Sequence, residues 1–355
     1  MKKRLVSLFL ASIMMLSLVA CGSSTSSGDS AGKTETKTET KTEAPTKAIP
    51  IKVATYYAES HPTSKALEEV FKPMLEEKTE GRYVVELYHN SALGGETEFN
   101  EGVKMGTIEM CVTGTVMGDQ YPQLYPVDFP WVFDDVKQAS VVCNNPDMIA
   151  TFQTAFDSCN MTCLGLSING NRCISNNKHP INKLDDLKGI KLRLPEVAHY
   201  IANFNALGAT TVTMPMTEIF TALQQGTIDG QENPPTTLLA NGWYEVQDYL
   251  AITNHQIAMN FVNVSTKFFN SMSEADQQAL RETVDAFVAK QLELFLIAME
   301  EDIKTLEGHG LEITYPDRTE FKEAGSVVID DFRAKYPEFD TAMNRVLELQ
   351  AEYKG

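Results

Sequence analysis

Strand-like and helix-like segments alternate from residue 51 onward, and this order constrains the fold more than any other feature of the sequence. The predicted strands lie at 51–55, 83–88 and 107–112, with helices between them at 64–79 and 96–104. Since βαβ connections join strands that run the same way, the order predicts a largely parallel sheet with covered faces. Ligand sites in such sheets lie at the carboxyl ends of the strands.

A second group of segments has the same character. Strands are predicted at 164–168, 190–194, 227–231 and 257–264, and helices at 197–205 and 217–225. The strand at 257–264 can return to the first sheet. Two sheets linked by strands fit an α/β fold with two lobes around a cleft. The predicted first lobe is 50–170 with about 257–290, and the predicted second lobe is 171–256 with about 300–355.

Residues 273–307 contain neither Gly nor Pro, and apolar residues recur there at three- and four-residue spacing. Ser273 and Asp276 form a capping-box-like start, and Gly308 is a natural stop. At 1.5 Å per residue this helix is roughly 50 Å long, more than one small lobe needs. We therefore expect one helix that spans both lobes; the alternative is two helices with an unmarked break.

The N-terminus predicts an export signal with a lipid anchor. Basic residues 2–4 precede an apolar stretch at 5–20 that is too short for a durable transmembrane helix. Residues 18–21 match the lipobox, so we expect 1–20 to be a lipoprotein signal peptide and Cys21 to be diacylated. Two acyl chains suffice for stable anchoring. The predicted location is extracytoplasmic, attached to the cell membrane; a plain secretory signal with an incidental Cys is the alternative.

Residues 21–49 form a Ser-, Thr-, Lys- and Glu-rich linker that has almost nothing apolar to bury, so we expect it to be disordered. The chain as a whole carries a net charge of −18. Such a surface disfavours nucleic acid and anionic lipid as partners. An anionic ligand would need basic residues aimed into its site.

The cysteines beyond Cys21 number five, and their spacing does not predict zinc. They are Cys111, Cys143, Cys159, Cys163 and Cys173. The sequence leaves open whether any of them form a disulfide. The six histidines are scattered, and there is no nucleophile elbow, zinc-protease motif or phosphate loop. We therefore expect no enzyme activity, no metal and no cofactor.

Segment 222–234 joins a helix end to a short strand and a polar turn. Gly226 is placed as a helix stop, and Gly230 as a position that needs positive φ or close backbone approach. Asn233 precedes Pro234 and Pro235, which restrict its backbone to extended geometry. A pinned amide at a strand end can serve as a ligand contact, although a solvated turn is the commoner explanation.

The longer block 214–234 resembles the signature of DctP-type solute-binding proteins of TRAP transporters. Supporting blocks follow the same order and spacing, at 90–96, 106–110, 171–172, 175–176 and 187–193. The resemblance implies a two-lobe periplasmic-binding-protein-like fold with mixed, mainly parallel sheets and a long helix spanning both lobes. It also implies capture of a small carboxylate and delivery to TRAP membrane subunits by a protein that we expect to be a monomer.

The resemblance assigns the ligand-binding side chains. Arg193 stands where the family binds the ligand carboxylate with a bidentate salt bridge, and its planar fork suits that role better than Lys. Arg172 matches a second basic position that often touches the ligand, with structural pairing to an acid as the alternative. Asn233 matches a ligand-contacting Asn forty residues after Arg193. Glu96 matches an acceptor of ligand hydroxyls, with complementation of a helix N-terminus as the alternative.

Other positions are weaker candidates or depart from the family. Met216 replaces a common Phe and leaves a more pliable apolar wall. Thr97 replaces a common Arg. Asn260 and Glu196 are further candidates for the ligand site. The side chains of Tyr56, His61 and Trp131 can line the cleft, although aromatic residues more often belong to the core.

The ligand class follows from the side chains that bind hydroxyl groups. Glu96, Asn233 and Asn260 favour a sugar acid, such as a uronate or an aldonate. The alternatives are a C4-dicarboxylate-binding TRAP protein and an ABC-type or sensory binding protein of the same fold.

Overall fold

Most of the strands are runs rich in β-branched and apolar residues, and all of them belong to one sheet in residues 48–354, the part that the computed structural model describes. They are β1 (Ile49–Thr55), β2 (Tyr83–Tyr88), β3 (Met110–Thr113), β4 (Met161–Asn176), β5 (Lys191–Leu194), β6 (Thr210–Thr213), β7 (Gly230–Asn233), β8 (Tyr249–Ser265) and β9 (Glu312–Thr314). Their order is β2-β1-β3-β8-β4-β7-β5-β6, with β9 paired to β8. Five of these eight pairings are parallel, so the prediction of a mixed, mainly parallel arrangement is confirmed.

The long strands β4 and β8 join the two halves of the sheet. They pair antiparallel with each other from end to end. One end of β8 pairs with β3, where Phe261 lies opposite Thr113, and the far end of β4 pairs with β7, where Cys173 lies opposite Asn233. The two predicted sheets are therefore one continuous sheet, since the linking strands pair with each other in both halves. The register of the β4–β8 pair shifts at three places, and the middle shift lies between Ile168 and Gly170.

Helices cover the sheet. They are α1 (Pro62–Ala66), α2 (Lys72–Lys78), α3 (Glu96–Met105), α4 (Val136–Cys143), α5 (Pro146–Phe156), α6 (Ala198–Ala206), α7 (Ile219–Gln224), α8 (Pro235–Ala240), α9 (Thr266–Phe269), α10 (Glu274–Gly308), α11 (Thr319–Lys335) and α12 (Pro337–Glu352). A π-helical turn at Leu67–Phe71 joins α1 to α2, within the single helix predicted there.

Two strands begin three residues later than predicted. The strand predicted at 107–112 begins at Met110, because Gly106 ends α3 at φ +72 and the next residues form the turn. The strand predicted at 227–231 begins at Gly230 and includes Asn233. Both differences arise because a helix stop is followed by a turn that no apolar pattern marks.

Helix α10 is one unbroken helix of 35 residues, so the alternative of two helices is wrong. The Ser273 hydroxyl caps it by accepting a hydrogen bond from the Asp276 amide at 3.1 Å. The first half packs Phe287 in a core cluster with residues of β1 and β2, and Leu306 near the other end packs with α7 and α8. The helix therefore spans both lobes. It runs through Gly308, and the positive φ comes two residues later, at Gly310.

The two C-terminal helices pack on different neighbours. Helix α11 contacts α6, whereas α12 contacts α4, α5 and the 3-10 segment Pro122–Asp128. The sequence assigned both helices to the second lobe. Helix α12 contacts α11 as well as elements of the predicted first lobe, where Phe339 and Met343 share a core cluster with Tyr125 and Phe129.

Predictions for the N-terminal segment, including the signal peptide, Cys21 and most of the linker, lie outside the described residues. No described helix combines the length and apolar character that a membrane span requires. The five cysteines left open by the sequence are free thiols in the structure.

Candidate ligand-binding site

A cavity of about 310 Å³ lies where the carboxyl ends of several strands meet. Tyr56 follows β1, Gly114 follows β3, Pro195 follows β5 and Asn233 ends β7; all four line it. This is the edge of the sheet at which the sequence predicts a ligand site, and the volume falls within the usual range of small-molecule pockets.

Arg193 is the lining residue with the clearest capacity for an anion. Its Nε and Nη2 donate to the Met214 carbonyl at 2.9 and 2.6 Å, which fixes the plane of the guanidinium. The residue is 4% exposed, and burial lowers its pKa to about 10, so it remains charged at neutral pH. Arg193 forms no salt bridge within residues 48–354. A buried cation without a partner acid favours an anionic ligand.

Arg172 has a different environment, because Glu232 neutralises it. Its Nε donates to Glu232 Oε2 at 2.5 Å, and its Nη2 donates to Glu232 Oε1 at 2.8 Å. The same Nη2 donates to Asn233 Oδ1 at 3.0 Å. Burial opposes ionisation of Arg172, yet Glu232 raises its pKa above the ordinary value. The structural pairing that the sequence left as an alternative is therefore present, and Arg172 also lines the cavity.

Glu232 connects this pair to the core. Its Oε2 lies 3.3 Å from His255 Nε2, and both residues are fully buried. Burial by itself raises the pKa of Glu232, but Arg172 and His255 bring it below the usual range. Asn233, in turn, donates from Nδ2 to Gln231 Oε1 at 2.7 Å, so both ends of its amide are held. The wall formed by β4 and β7 is thus rigidly organised before any ligand arrives.

Glu96 lies at the first turn of α3 and faces the cavity. Its Oε1 accepts hydrogen bonds from the Gly114 amide at 2.5 Å and the Thr113 hydroxyl at 2.9 Å. Burial raises its pKa to about 7, although both hydrogen bonds and Arg193 oppose the rise. The carboxyl is therefore a hydrogen-bond acceptor near neutral pH that can also hold a proton.

Asn260 is fully buried on β8, and it binds two tyrosines. Its Oδ1 accepts from Tyr56 Oη at 2.6 Å, and its Nδ2 donates to Tyr57 Oη at 2.7 Å. Asn260 and Tyr56 both line the cavity. Asn169, on β4, also lines it, and its buried Oδ1 has no partner in the described part of the chain.

Asp128 is a buried acid in the cavity wall that sequence reasoning missed. Its Oδ2 accepts from Thr115 Oγ1 at 2.8 Å and from Tyr200 Oη at 3.0 Å. His199 Nε2 lies 2.9 Å from its Oδ1. Tyr200 extends the network, since the Arg172 guanidinium lies 5.0 Å from its ring centroid.

Met216, Glu196 and Thr97 also line the cavity. Met216 is half-buried and supplies an apolar surface, whereas Glu196 and Thr97 are exposed. The structure therefore brings together seven of the eight side chains predicted at the ligand site: Arg193, Arg172, Asn233, Glu96, Met216, Asn260 and Glu196.

The structure does not place His61 in the cavity. Its ring caps α1 by accepting from the Thr63 amide at 3.2 Å, and it stacks on Tyr57 with 3.9 Å between centroids. Burial lowers its pKa to about 3, so the ring is neutral. Trp131 is also buried away from the cavity, where its Nε1 donates to Asn203 Oδ1 at 3.2 Å. Helix capping and core packing account for these two residues.

The segment before Asn233 adopts the geometry that its glycines predict. Gly226 has φ +66 after α7. A Cβ on Gly230 would lie 2.1 Å from the Ser175 carbonyl oxygen, so close backbone approach explains that glycine. Pro234 is the N-cap residue of α8, which begins at Pro235. Asn233 is consequently fixed at the end of β7, between a strand ladder and a helix start.

With this geometry established, comparison with known proteins identifies the family. The family model of the bacterial extracellular solute-binding proteins, family 7 (DctP), matches residues 53–335. The chain belongs to the DctP family. The predicted resemblance is therefore confirmed over nearly the whole described part.

Solved structures and a curated relative extend the likeness. A TRAP periplasmic solute-binding protein of Haemophilus influenzae with bound L-gulonate is 32% identical, with a TM-score of 0.81 over 85% of this chain and 99% of that one. The galactonate complex of DctPAm from Advenella mimigardefordensis is 27% identical, with a TM-score of 0.80 over 85% and 99%. The 2,3-diketo-L-gulonate-binding periplasmic protein YiaO of Escherichia coli is 29% identical over 79% of this chain and 86% of its own.

For this DctP-family chain, sequence reasoning missed the residues that organise the wall. Asp128 is the only charged residue in an apolar run. An acid in such a run is expected to be buried and paired, so the sequence could have indicated a structural or functional role for it. Glu232 lies within the block 214–234 but had no assigned role, and Asn169 directly follows the strand predicted at 164–168. Tyr200 had no local signal, because its importance comes from contacts with Asp128 and Arg172. No cluster of three or more metal-binding side chains occurs in residues 48–354.

Proposed function

We propose that this protein captures a sugar acid, such as an aldonate or a uronate, as the solute-binding component of a TRAP transporter. The single observation that carries the proposal is Arg193, a buried guanidinium that faces the cavity without a partner acid in the described structure. A carboxylate at this position would accept the charge-assisted hydrogen bonds that Arg193 does not make to Met214. The sugar acids in the related structures support the same ligand class.

The remaining lining residues have roles that suit a polyhydroxylated ligand. Arg172 and Asn233 complete the polar cage around the carboxylate, and Glu96 accepts ligand hydroxyls. Asn260, Asn169 and Tyr56 supply further hydrogen-bonding groups. Met216 packs against the carbon chain, and Glu196 lies at the exposed margin. His61 is left out of this site because it caps a helix in the core.

Ligand contacts with both lobes would favour a closed state, which is a shift in population. We propose a first lobe of 50–170 with about 257–290, joined by α12 because of its contacts, and a second lobe that includes 171–256 and α11. The closed protein would deliver its ligand to the TRAP membrane subunits as a monomer. Attachment through a diacylated Cys21 would hold it at the outer face of the cell membrane.

We propose no catalytic role, and a turnover assay tests this, since a binding protein returns its ligand unchanged. A C4-dicarboxylate ligand shares the Arg193 anchor and is the second candidate. The neighbouring genes distinguish a TRAP role from an ABC-type or sensory role, because a TRAP system needs genes for two membrane subunits.

A thermal-shift screen tests the ligand class directly. The panel contains D-galactonate, L-gulonate, D-glucuronate, D-galacturonate, succinate and L-malate. We expect a sugar acid to raise Tm in the wild type and to have no effect on Arg193→Ala. Lys191→Ala is the matched control, because Lys191 is an exposed cation on the same strand. If a sugar acid raised the Tm of Arg193→Ala as much as that of the wild type, Arg193 would not be the residue that binds the ligand carboxylate.

A further inference from the structure

The charges around the cavity leave one cation available for a ligand. Arg193 has no acidic partner within the described residues, whereas Arg172 is bound through two nitrogens to Glu232. Asp128 is saturated by hydroxyl groups and His199. Among the described residues that line the cavity, Arg193 is therefore the one cation that is not paired with an acid.

Glu96 places a negative charge on the same cavity wall. Its Oε1 is occupied by Gly114 and Thr113, while its Oε2 has no hydrogen-bond partner in the described chain. Glu96 and Arg193 influence each other electrostatically but form no salt bridge. The carboxyl is therefore free to act on a ligand that Arg193 holds.

Gly114 keeps this carboxyl accessible. A Cβ at Gly114 would lie 3.1 Å from Glu96 Oε1, 3.6 Å from Tyr56 Oη and 3.8 Å from Asn260 Oδ1. These three oxygens surround one small region of the cavity. They present acceptor oxygens. Among the described residues no lysine or arginine forms a salt bridge with Glu96, although Arg193 is near enough to lower its pKa.

We propose that Glu96 restricts the site to acids with a single carboxylate, so that aldonates and uronates bind while aldarates and C4-dicarboxylates are rejected. This inference rests on the proposed function. A ligand hydroxyl beside Glu96 donates to the carboxylate. A second ligand carboxylate at that position would be desolvated beside a like charge. Arg193 would already hold the first carboxylate, and Arg172 is paired with Glu232. Specificity then comes from a repulsive group as well as from the Arg193 anchor.

Paired ligands that differ at one carbon test this directly. Galactarate is D-galactonate with its terminal CH2OH oxidised to a carboxylate, and D-glucarate bears the same relation to both D-gluconate and L-gulonate. Isothermal titration of the wild type at pH 8 is expected to favour the monoacid about 100-fold in Kd. Glu96→Gln removes the charge but keeps the shape, and should reduce that preference at least about tenfold. Glu101→Gln, an exposed position on the same helix, should leave it unchanged.

The outcomes separate the two proposals. An unchanged preference in a Glu96→Gln variant that still binds the monoacid overturns the role of Glu96, and the proposed function stands. Equal binding of monoacid and diacid by the wild type would also overturn the role of Glu96 and leave the proposed function in place. Failure of the wild type to bind any acid overturns the proposed function, and this inference with it. Loss of all binding in Glu96→Gln, with the wild-type Tm retained, also overturns the inference, since Glu96 would then be an obligatory contact.

Discussion

The guanidinium of Arg172 lies 2.5 Å from Glu232 Oε2, and this buried ion pair ties β4 to β7 at the wall of the cavity. Arg172 also bonds the Glu232 carbonyl oxygen at 2.7 Å. Side chain and backbone of one residue thus hold the other in a fixed position. The pair orders Asn233 on one side and Tyr200 on the other.

Breaking this pair should destabilise the fold. Glu232→Gln leaves Arg172 buried without a counter-charge, and we expect the free energy of unfolding to fall by about 3–5 kcal/mol. Urea denaturation measures it. Glu312→Gln, on an exposed part of β9, is the control and should change stability by less than about 0.5 kcal/mol. A loss below 1 kcal/mol in Glu232→Gln would show that the pair is dispensable.

Arg193→Lys tests whether the planar fork matters as well as the charge. An ammonium cannot reproduce both the bonds to Met214 and a bidentate contact with a carboxylate. We expect the Kd for the best sugar acid to rise about 10–100-fold, which corresponds to the loss of one charge-assisted hydrogen bond. Titration calorimetry gives the value. An unaltered Kd would mean that only the charge of Arg193 is used.

Glu96 should make the stability of the ligand-free protein depend on pH. Burial raises its pKa from 4.5 to about 7, so the folded state binds the proton more tightly than the unfolded state. The contribution of Glu96 to fold stability is fully present below pH 4.5 and is lost as the pH rises through 7. When the pH is raised from 5 to 8, the free energy of unfolding of Glu96→Gln should fall by about 1–3 kcal/mol less than that of the wild type. Parallel pH profiles of unfolding would contradict the assignment.

His61→Asn should separate fold stability from ligand binding. Asn preserves a helix N-cap, and His61 does not line the cavity, so Kd should stay within about threefold. Burial lowers the His61 pKa to about 3. The contribution of His61 to fold stability is therefore present above pH 6.5 and is lost as the pH falls toward 3, because the unfolded state takes up the proton first.

The decrease in Tm from pH 7 to pH 4 should accordingly be smaller in His61→Asn than in the wild type. His179→Asn, at an exposed histidine, serves as the control. A large rise in Kd for His61→Asn but not for His179→Asn would show that His61 contributes to ligand binding.

Gly170→Ala should disturb the register shift where β4 passes between the halves. Gly170 has φ +131, and a Cβ there would lie 2.4 Å from the Phe295 ring of α10. We expect a loss of at least about 2 kcal/mol of unfolding free energy, from strain and overpacking together. Gly308→Ala is the matched control: it has open space within a helix and should gain about 0.5–1 kcal/mol. Similar values for the two variants would show that β4 relaxes around the added methyl group.

Local patterns predicted most of the architecture. The alternation of elements, the cap at Ser273 and the stop at Gly226 depend on neighbours in sequence, and the structure has these features in place. Strand starts after helix stops were less predictable, since turn residues carry no apolar period. The position of α12 could not be predicted either, because an amphipathic face does not specify which partner it packs against.

The sequence by itself determined the fold class, the long helix, the family and the seven cavity-lining side chains that its motifs predicted. Only the tertiary structure decided how those side chains are used. Arg172 and Arg193 are both buried arginines, yet the first is neutralised by Glu232, sixty residues away, while the second forms no salt bridge with any described residue. Which charges remain free depends on distances across the sheet, and no pattern along the chain encodes those distances.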